Sequence, residues 1–243
     1  MPRFFVDKNA VSGNVAVIDG EDAVHISKSL RMRVGESLVL CDCEGTDYHC
    51  TITGFSEGTV TLSVEEERLT VSEPDCKVTL YQGYPKSDKL ELITEKAVEL
   101  GVSEIVPVLM SRSIARPDEK SAAKKGARLQ RHALEAAKQS GRGMIPQVSD
   151  MISFKELLGR IPQHELVITC YEAGGEPLRT FAGNAKDIAI VIGPEGGIAE
   201  NEISELTGAG AKTVTLGKRI LRTETAAIAA ITAVMYETGN MDK

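Results

Sequence analysis

The sequence predicts an α/β fold in two parts: a small β-barrel over residues 1–72, then a largely parallel, helix-flanked sheet over residues 73–243. Three observations predict it. Short alternating runs with turn dipeptides between them fill the first part. A polar, proline-bearing stretch follows at residues 65–75. After it, apolar runs alternate with helical patterns, the rhythm of βαβ units.

The first-part strands are read at residues 15–18, 37–41, 49–54 and 59–64, with turns at Asp19-Gly20, Glu44-Gly45 and Glu57-Gly58. One helix, residues 22–30 with an acid-rich start, interrupts them. The stretch from Glu65-Glu66-Glu67 to Pro74-Asp75 is the expected linker. Beyond it, strands are expected at 78–81, 104–109, 165–169, 187–192 and 213–216. Helices are expected at 88–100, ended by Gly101, and at 121–140, 199–207 and 225–237. Pattern rules alone draw a plain doubly wound sheet, because true knots are rare.

Composition sets the class. A chain of 243 residues, 42% hydrophobic and 26% charged, is long enough for a sizeable core. No apolar run reaches the roughly 18 residues of a membrane span. Met1-Pro2-Arg3 opens no signal-peptide core, so a cytoplasmic address is expected. Cys41, Cys43, Cys50, Cys76 and Cys170 contain no C-x-x-C pair, and free thiols without a metal are expected. The net charge of −7 opposes nucleic-acid binding at first sight, but residues 112–142 hold nine basic side chains against three acidic ones. A solvated helix face is the plainer account of that patch.

The chemistry concentrates in two loops. The apolar run at 187–192 enters Gly193-Pro194-Glu195-Gly196-Gly197, and the run at 213–216 enters Gly217-Lys218-Arg219-Ile220-Leu221-Arg222-Thr223-Glu224-Thr225-Ala226. Glycine-rich loops at strand ends are how an open α/β sheet builds a ligand crevice. Neither a G-x-x-x-x-G-K-[ST] nor a G-x-G-x-x-G after a strand is present, which excludes the usual phosphate-cradling motifs. Glu195 also sits where a phosphate loop would want only amide donors.

These loops, with KAVELGVSEIVPVLMSRS at residues 96–113, QSGR at 139–142 and HISKSLRMRVGE at 25–36, resemble the ribosomal RNA small-subunit methyltransferase E family. These are uridine-N3 methyltransferases of the SPOUT superfamily, and the resemblance covers nearly the whole chain. It implies a PUA-like barrel, then a SPOUT-type sheet tied into a trefoil knot, in place of the plain topology above. It implies S-adenosylmethionine as cofactor, 16S ribosomal RNA within the 30S subunit as substrate, and a homodimer, with no membrane or metal.

By the same resemblance, Cys170, Tyr171, Glu172, Ile192, Gly193, Pro194, Glu195, Gly196 and Gly197 would hold the cofactor. Leu216, Gly217, Ile220, Leu221, Arg222, Thr223, Thr225 and Ala226 would complete its site, the apolar ones against adenine. Arg222 is the candidate for stabilising charge, since a guanidinium presents paired donors to a carbonyl; an ion pair with Glu195 or Glu224 is its plain alternative. Glu224 is either a base or a helix-start residue. None of the four histidines falls in a motif loop. RNA contacts are expected from Arg3, Lys28, Arg31, Arg33, Lys86, Lys89, Arg112, Gln139 and Arg142. Two departures stand out: Lys218 where the family usually has proline, and Lys138 where it often has glutamate. A ribose 2′-hydroxyl methyltransferase, a nucleotide-binding enzyme and a non-enzymatic RNA-binding assembly factor are the rival readings.

Overall fold

A computed structural model describes residues 1–181 and 183–242. The chain divides into two compact units, one of Met1–Glu73 with Ala137–Ile145 and one of Pro74–Ala136 with Pro146–Lys243.

In the first unit, strands β1 (Arg3–Phe5), β2 (Val11–Ser12), β3 (Val15–Asp19), β4 (Ser37–Cys41), β5 (Thr46–Ser56) and β6 (Thr59–Leu69) form one sheet in the order β1-β4-β5-β6-β3-β2. The alternation read from sequence is realised in β3, where Ala16 and Ile18 are buried and Val15 and Val17 exposed. Phe4, Leu38, Leu40, Ile52, Val60 and Leu62 close a core with Ala23 and Ile26 of the helical segment. That segment is α1 (Gly20–Val24) continued by a π-helical turn, His25–Ser29, in place of the single helix expected.

The acidic run Glu65-Glu66-Glu67 is strand, not linker. Its residues extend β6, with Glu66 opposite His49 and Glu67 opposite Tyr48. Backbone pairing outweighs the polar side chains because they point to solvent.

Two residues expected to meet RNA are structural instead. Arg3 donates from Nη1 and Nη2 to the two oxygens of Asp47, at 2.8 and 2.9 Å. Its side chain is 16% exposed and that of Asp47 9%. Arg142 is 3% exposed; its Nη2 donates to Glu73 Oε2 at 2.6 Å and its Nε to both oxygens at 3.0 Å. The backbone N–H of Gly143 joins the same carboxylate at 2.8 Å. Arg142 thereby holds Ala137–Ile145 to the first unit, and both corrections have one cause: a buried guanidinium takes a carboxylate in its own fold. Lys138 is also occupied, 2.7 Å from Asp22 and over the ring of Phe4. Gln139, Lys28, Arg31 and Arg33 are exposed.

In the second unit, strands β7 (Lys77–Gly83), β8 (Glu104–Leu109), β9 (Gln147–Val148), β10 (Ile152–Ser153), β11 (Leu166–Cys170), β12 (Glu176–Pro177), β13 (Asp187–Ile192) and β14 (Lys212–Thr215) pair only in parallel among the described residues. Their order is β10-β8-β7-β13-β11-β14-β12, with β9 beside β8. β7 and β13 are buried along nearly all their length; β13 reads as an apolar run from Ile188, whereas β7 also buries the polar Thr79 and Gln82. Helices α2 (Lys89–Glu99), α3 (Glu119–Ser140), α4 (Phe154–Arg160), α5 (Glu200–Gly208) and α6 (Thr223–Glu237) complete the unit, although the last residues of α3 belong to the first. α2 buries Leu90, Ile93, Ala97 and Val98 at helical spacing. The unforeseen α4 is started by a capping box between Ser153 and Glu156.

Part of the basic patch of α3 is spent on internal partners, while Lys120, Lys124 and Arg131 are exposed without an ion pair among the described residues. Lys125 and Arg128 both pair with Glu91, at 2.5 and 2.8 Å. No described helix is long and apolar enough to cross a membrane. The five cysteines are free. Burial pushes the Cys41 thiol up to about 12 and that of Cys50 to about 11.

The Arg3–Asp47 pair predicts a pH-dependent stability. Burial alone would raise the Asp47 carboxyl, but hydrogen bonds from Arg3 and Thr70 hold it below the ordinary carboxylate range. A depressed pKa contributes stability above the unfolded value of about 3.9 and loses it as pH falls through the folded value. Arg3→Ala is expected to cost about 3 kcal/mol at pH 7 in urea unfolding, a gap that narrows below about pH 4.

Candidate functional site

Because β13, β11 and β14 are neighbours, the loops that follow them emerge side by side at the carboxyl edge of the sheet. With the β7–α2 connection and the start of α6 they enclose a cavity of about 680 Å³. Cys170, Tyr171 and Glu172 line it from β11. Ile192, Gly193, Pro194, Glu195, Gly196, Gly197 and Ile198 line it from β13, and Thr215, Leu216, Gly217, Arg219, Ile220 and Leu221 from β14. Arg222, Thr223 and Ala226 close it from the start of α6, with Lys86 and Lys89 opposite. The sequence-assigned cofactor residues are thus brought together except Thr225, which is exposed outside the lining.

The glycines serve the loops themselves. Gly197 sits at φ +71°, and a Cβ there would strike the carboxylate of Glu172. At Gly83, which ends β7, a Cβ would fall 2.5 Å from the ring of Pro194. At Gly83 the excluding atoms belong to Pro194 and Gly193, and at Gly197 to the side-chain end of Glu172.

Thr223 fastens the site. Its Oγ1 donates to the Gly193 carbonyl at 2.7 Å and accepts from Gln82 Nε2 at 2.8 Å. It is buried, so it acts as a brace behind the loop. Gln82, absent from the sequence reading, is wholly buried at the end of β7. A polar residue closing an otherwise apolar strand was the signal available for it. Arg112, expected at RNA, instead donates to the carbonyls of Gly196 and Ile198 at 3.2 and 3.4 Å. Ser111 N–H donates to Glu202 Oε1 at 2.8 Å, and that carboxylate also accepts the Ala199 N–H, so the turn carrying Arg112 is tied to the same loop.

Lys89, expected at RNA, is ion-paired at the cavity wall: its ammonium lies 3.1 Å from Glu195 and 3.2 Å from Glu224. Burial alone would lower the Lys89 ammonium, and the two carboxylates raise it. Burial alone would raise Glu195; its own amide, Lys89 and the Lys86 N–H hold it below the usual carboxylate range. Glu224 is therefore an ion-pair partner in the first turn of α6, a poor fit to a free base. Arg222 caps that helix, is exposed, and has no ion-pair partner among the described residues. Its alternative pairing with Glu195 or Glu224 is not formed; both carboxylates lie beside Lys89, although Glu224 Oε2, 3.2 Å from it, accepts no hydrogen bond among the described residues. No histidine lines the cavity. His164 lies between Asp187 and Tyr81, at 2.6 and 2.9 Å, and His132 is 3.5 Å from Glu91.

The fold and cleft define a class. Residues 72–235 match the family model of the RNA methyltransferase domain, and residues 18–65 that of the RNA methyltransferase PUA domain. The first match spans more than half of the chain, so this is a member of the RNA methyltransferases with a PUA-like domain. Within them, the chain belongs to the ribosomal RNA small subunit methyltransferase E family. It is 35% identical to the Bacillus subtilis (strain 168) member over 249 residues, covering 98% of this chain and 97% of that one. It is also 35% identical to the Mycobacterium bovis member, over 98% of this chain and 93% of that one. The crystal structure of the Neisseria gonorrhoeae member bound to S-adenosyl methionine superposes with a TM-score of 0.88 at 33% identity, over 98% of each chain.

Removing the brace is measurable. Thr223→Val keeps the shape but removes the hydroxyl between the Gly193 carbonyl and the Gln82 amide, leaving the amide its bond to the Gly83 carbonyl at 3.0 Å and a long one to the Gly193 carbonyl at 3.5 Å. The variant is expected to lose about 1–3 kcal/mol in urea unfolding.

Proposed function

We propose that this protein is an S-adenosylmethionine-dependent methyltransferase that modifies N3 of a uridine in 16S ribosomal RNA, acting as a cytoplasmic homodimer on the 30S subunit. The observation that carries it is the cavity of about 680 Å³ framed by three adjacent strand-end loops, with the unpaired Arg222 at its wall. The residues present fit the cofactor. The volume suits a ligand of that size. The peptide groups of residues 170–172, 193–197 and 216–221 offer donors and acceptors to an adenine edge and an amino-acid tail. Leu216 and Leu221, half-buried, and Ile220, 85% exposed at the lip, offer apolar contact to the ring.

When bound, S-adenosylmethionine supplies an electrophilic methyl group on a sulfonium. The protein's part is to present uracil N3 and to make its charge tolerable. Loss of the N3 proton to water makes N3 the nucleophile for the methyl group that the cofactor would supply, and spreads the imide charge onto the flanking carbonyls. Negative charge that develops on the flanking carbonyl oxygens would be met by the Arg222 guanidinium. With Glu195 and Glu224 both engaged by Lys89, charge stabilisation suits this cleft better than a carboxylate base.

RNA is assigned to Lys28, Arg31 and Arg33 of the first unit, exposed cations without an ion pair among the described residues, and to Lys86 beside the cavity. A barrel closure of the first unit and a trefoil knot in the second are part of this reading. What supports the knot is that α6 packs against the turn Leu178–Thr180 after β11 as well as against α2 and β13. Exposed Tyr236, at 69%, on an Ala- and Ile-rich helix supports α6 as the dimer contact.

Labelled methyl transfer to unmodified 30S subunits and to free ribosomal RNA, followed by nucleoside analysis, tests the reading. Label in 3-methyluridine is expected; label in a ribose 2′-O-methyl nucleoside, or none with the cofactor bound, would overturn it. Arg222→Ala is expected to leave cofactor affinity nearly unchanged and to slow single turnover at least about tenfold, ~1.4 kcal/mol of barrier.

A further inference from the structure

Lys89 is unusual for a residue at a cavity wall. It stands at the first position of α2, yet its ammonium reaches carboxylates from two other elements, the β13 loop and the first turn of α6. Those carboxylates, Glu195 and Glu224, lie in the same site as Arg222, whose cavity Glu172 also lines. Glu224 follows Arg222 by two residues, and Glu195 and Arg222 line the same cavity. An arginine within reach of an unpartnered carboxylate can take it as a bidentate pair. Arg222 nevertheless has no ion-pair partner among the described residues.

We infer that Lys89 is a positioning residue that keeps Arg222 free for the substrate by occupying both Glu195 and Glu224. This rests on the role proposed above for Arg222. Without the ammonium, a net −1 cluster becomes a pair of unneutralised carboxylates on the cavity wall that Arg222 shares with Arg219. Arg222 would then fold back onto Glu195 or Glu224 and be lost to the uracil carbonyls. Lys89 acts through electrostatics inside the cleft, without touching cofactor or RNA.

The test is single-turnover methyl transfer with saturating S-adenosylmethionine, together with calorimetric cofactor affinity and RNA binding against salt. Lys89→Met is expected to slow turnover about tenfold or more, with cofactor affinity within about threefold and an unchanged salt slope. Adding Glu195→Gln and Glu224→Gln to Lys89→Met should recover most of the loss, because no carboxylate then competes for Arg222. Lys89→Arg, which retains both ion pairs, should stay folded and active and guards against a mere folding defect. In an Arg222→Ala background, Lys89→Met should have little further effect.

Failure of rescue by the two Glu→Gln changes, or a fully additive effect in the Arg222→Ala background, would overturn the inference. A lowered salt slope for Lys89→Met would overturn it in favour of a direct phosphate contact. Wild-type turnover by Arg222→Ala itself would instead remove the role of Arg222, a separate and distinguishable failure.

Discussion

The Thr223 hydroxyl is the interaction on which the cleft depends. Donating to the Gly193 carbonyl and accepting from Gln82, it ties the end of β7, the loop after β13 and the first turn of α6 at one buried point. A hydroxyl can do both at once, whereas a buried amide or carbonyl left alone there would carry a desolvation cost. Gly83 packed on Pro194 and Arg112 bonded to the carbonyls of Gly196 and Ile198 fasten the same loop from its other sides. The loop is rigid because its neighbours leave it no alternative, and a rigid loop can present peptide groups to a ligand at little ordering cost.

Charge is managed in the same spirit. The chain carries many cations at places where RNA contact is easily imagined, yet the fold uses several of them internally. Arg3, Arg142, Lys138, Lys125, Arg128 and Lys89 each meet a carboxylate. Among those that stay open are Lys28, Arg31 and Arg33 in one unit and, in the other, Lys120, Lys124 and Arg131 on α3 and Lys86, Arg219 and Arg222 at the cavity. A protein of net charge −7 can still bind a polyanion through such a set, since phosphates respond to local potential at distances near the Debye length.

Periodicity and glycine placement made much of this legible in advance. The limits of β13 and β8 coincide with the apolar runs at 187–192 and 104–109, and the parallel sheet follows from their alternation with helices. The strand-end loops drew attention to residues 193–197 and 216–226, and those residues do meet at one cavity. The short pieces β1, β9, β10 and β12 were invisible, being two or three residues long and ordered only by the strands beside them. The acidic run at 65–67 misled because polarity marks exposure, and an exposed strand face is as polar as a linker.

By itself the sequence determined the carboxyl-edge loops and the absence of phosphate-loop motifs, because each is written in local pattern and residue type. Only the tertiary structure decided which charged groups are available. Lys89 could not be separated from Lys86, or Arg142 from Arg31, by any property of the side chain. The difference lies in Glu195, Glu224 and Glu73, which stand 106, 135 and 69 residues away from their partners along the chain. Ion pairing is a matter of distance in space, and that distance is set by packing of elements whose contacts no local pattern records.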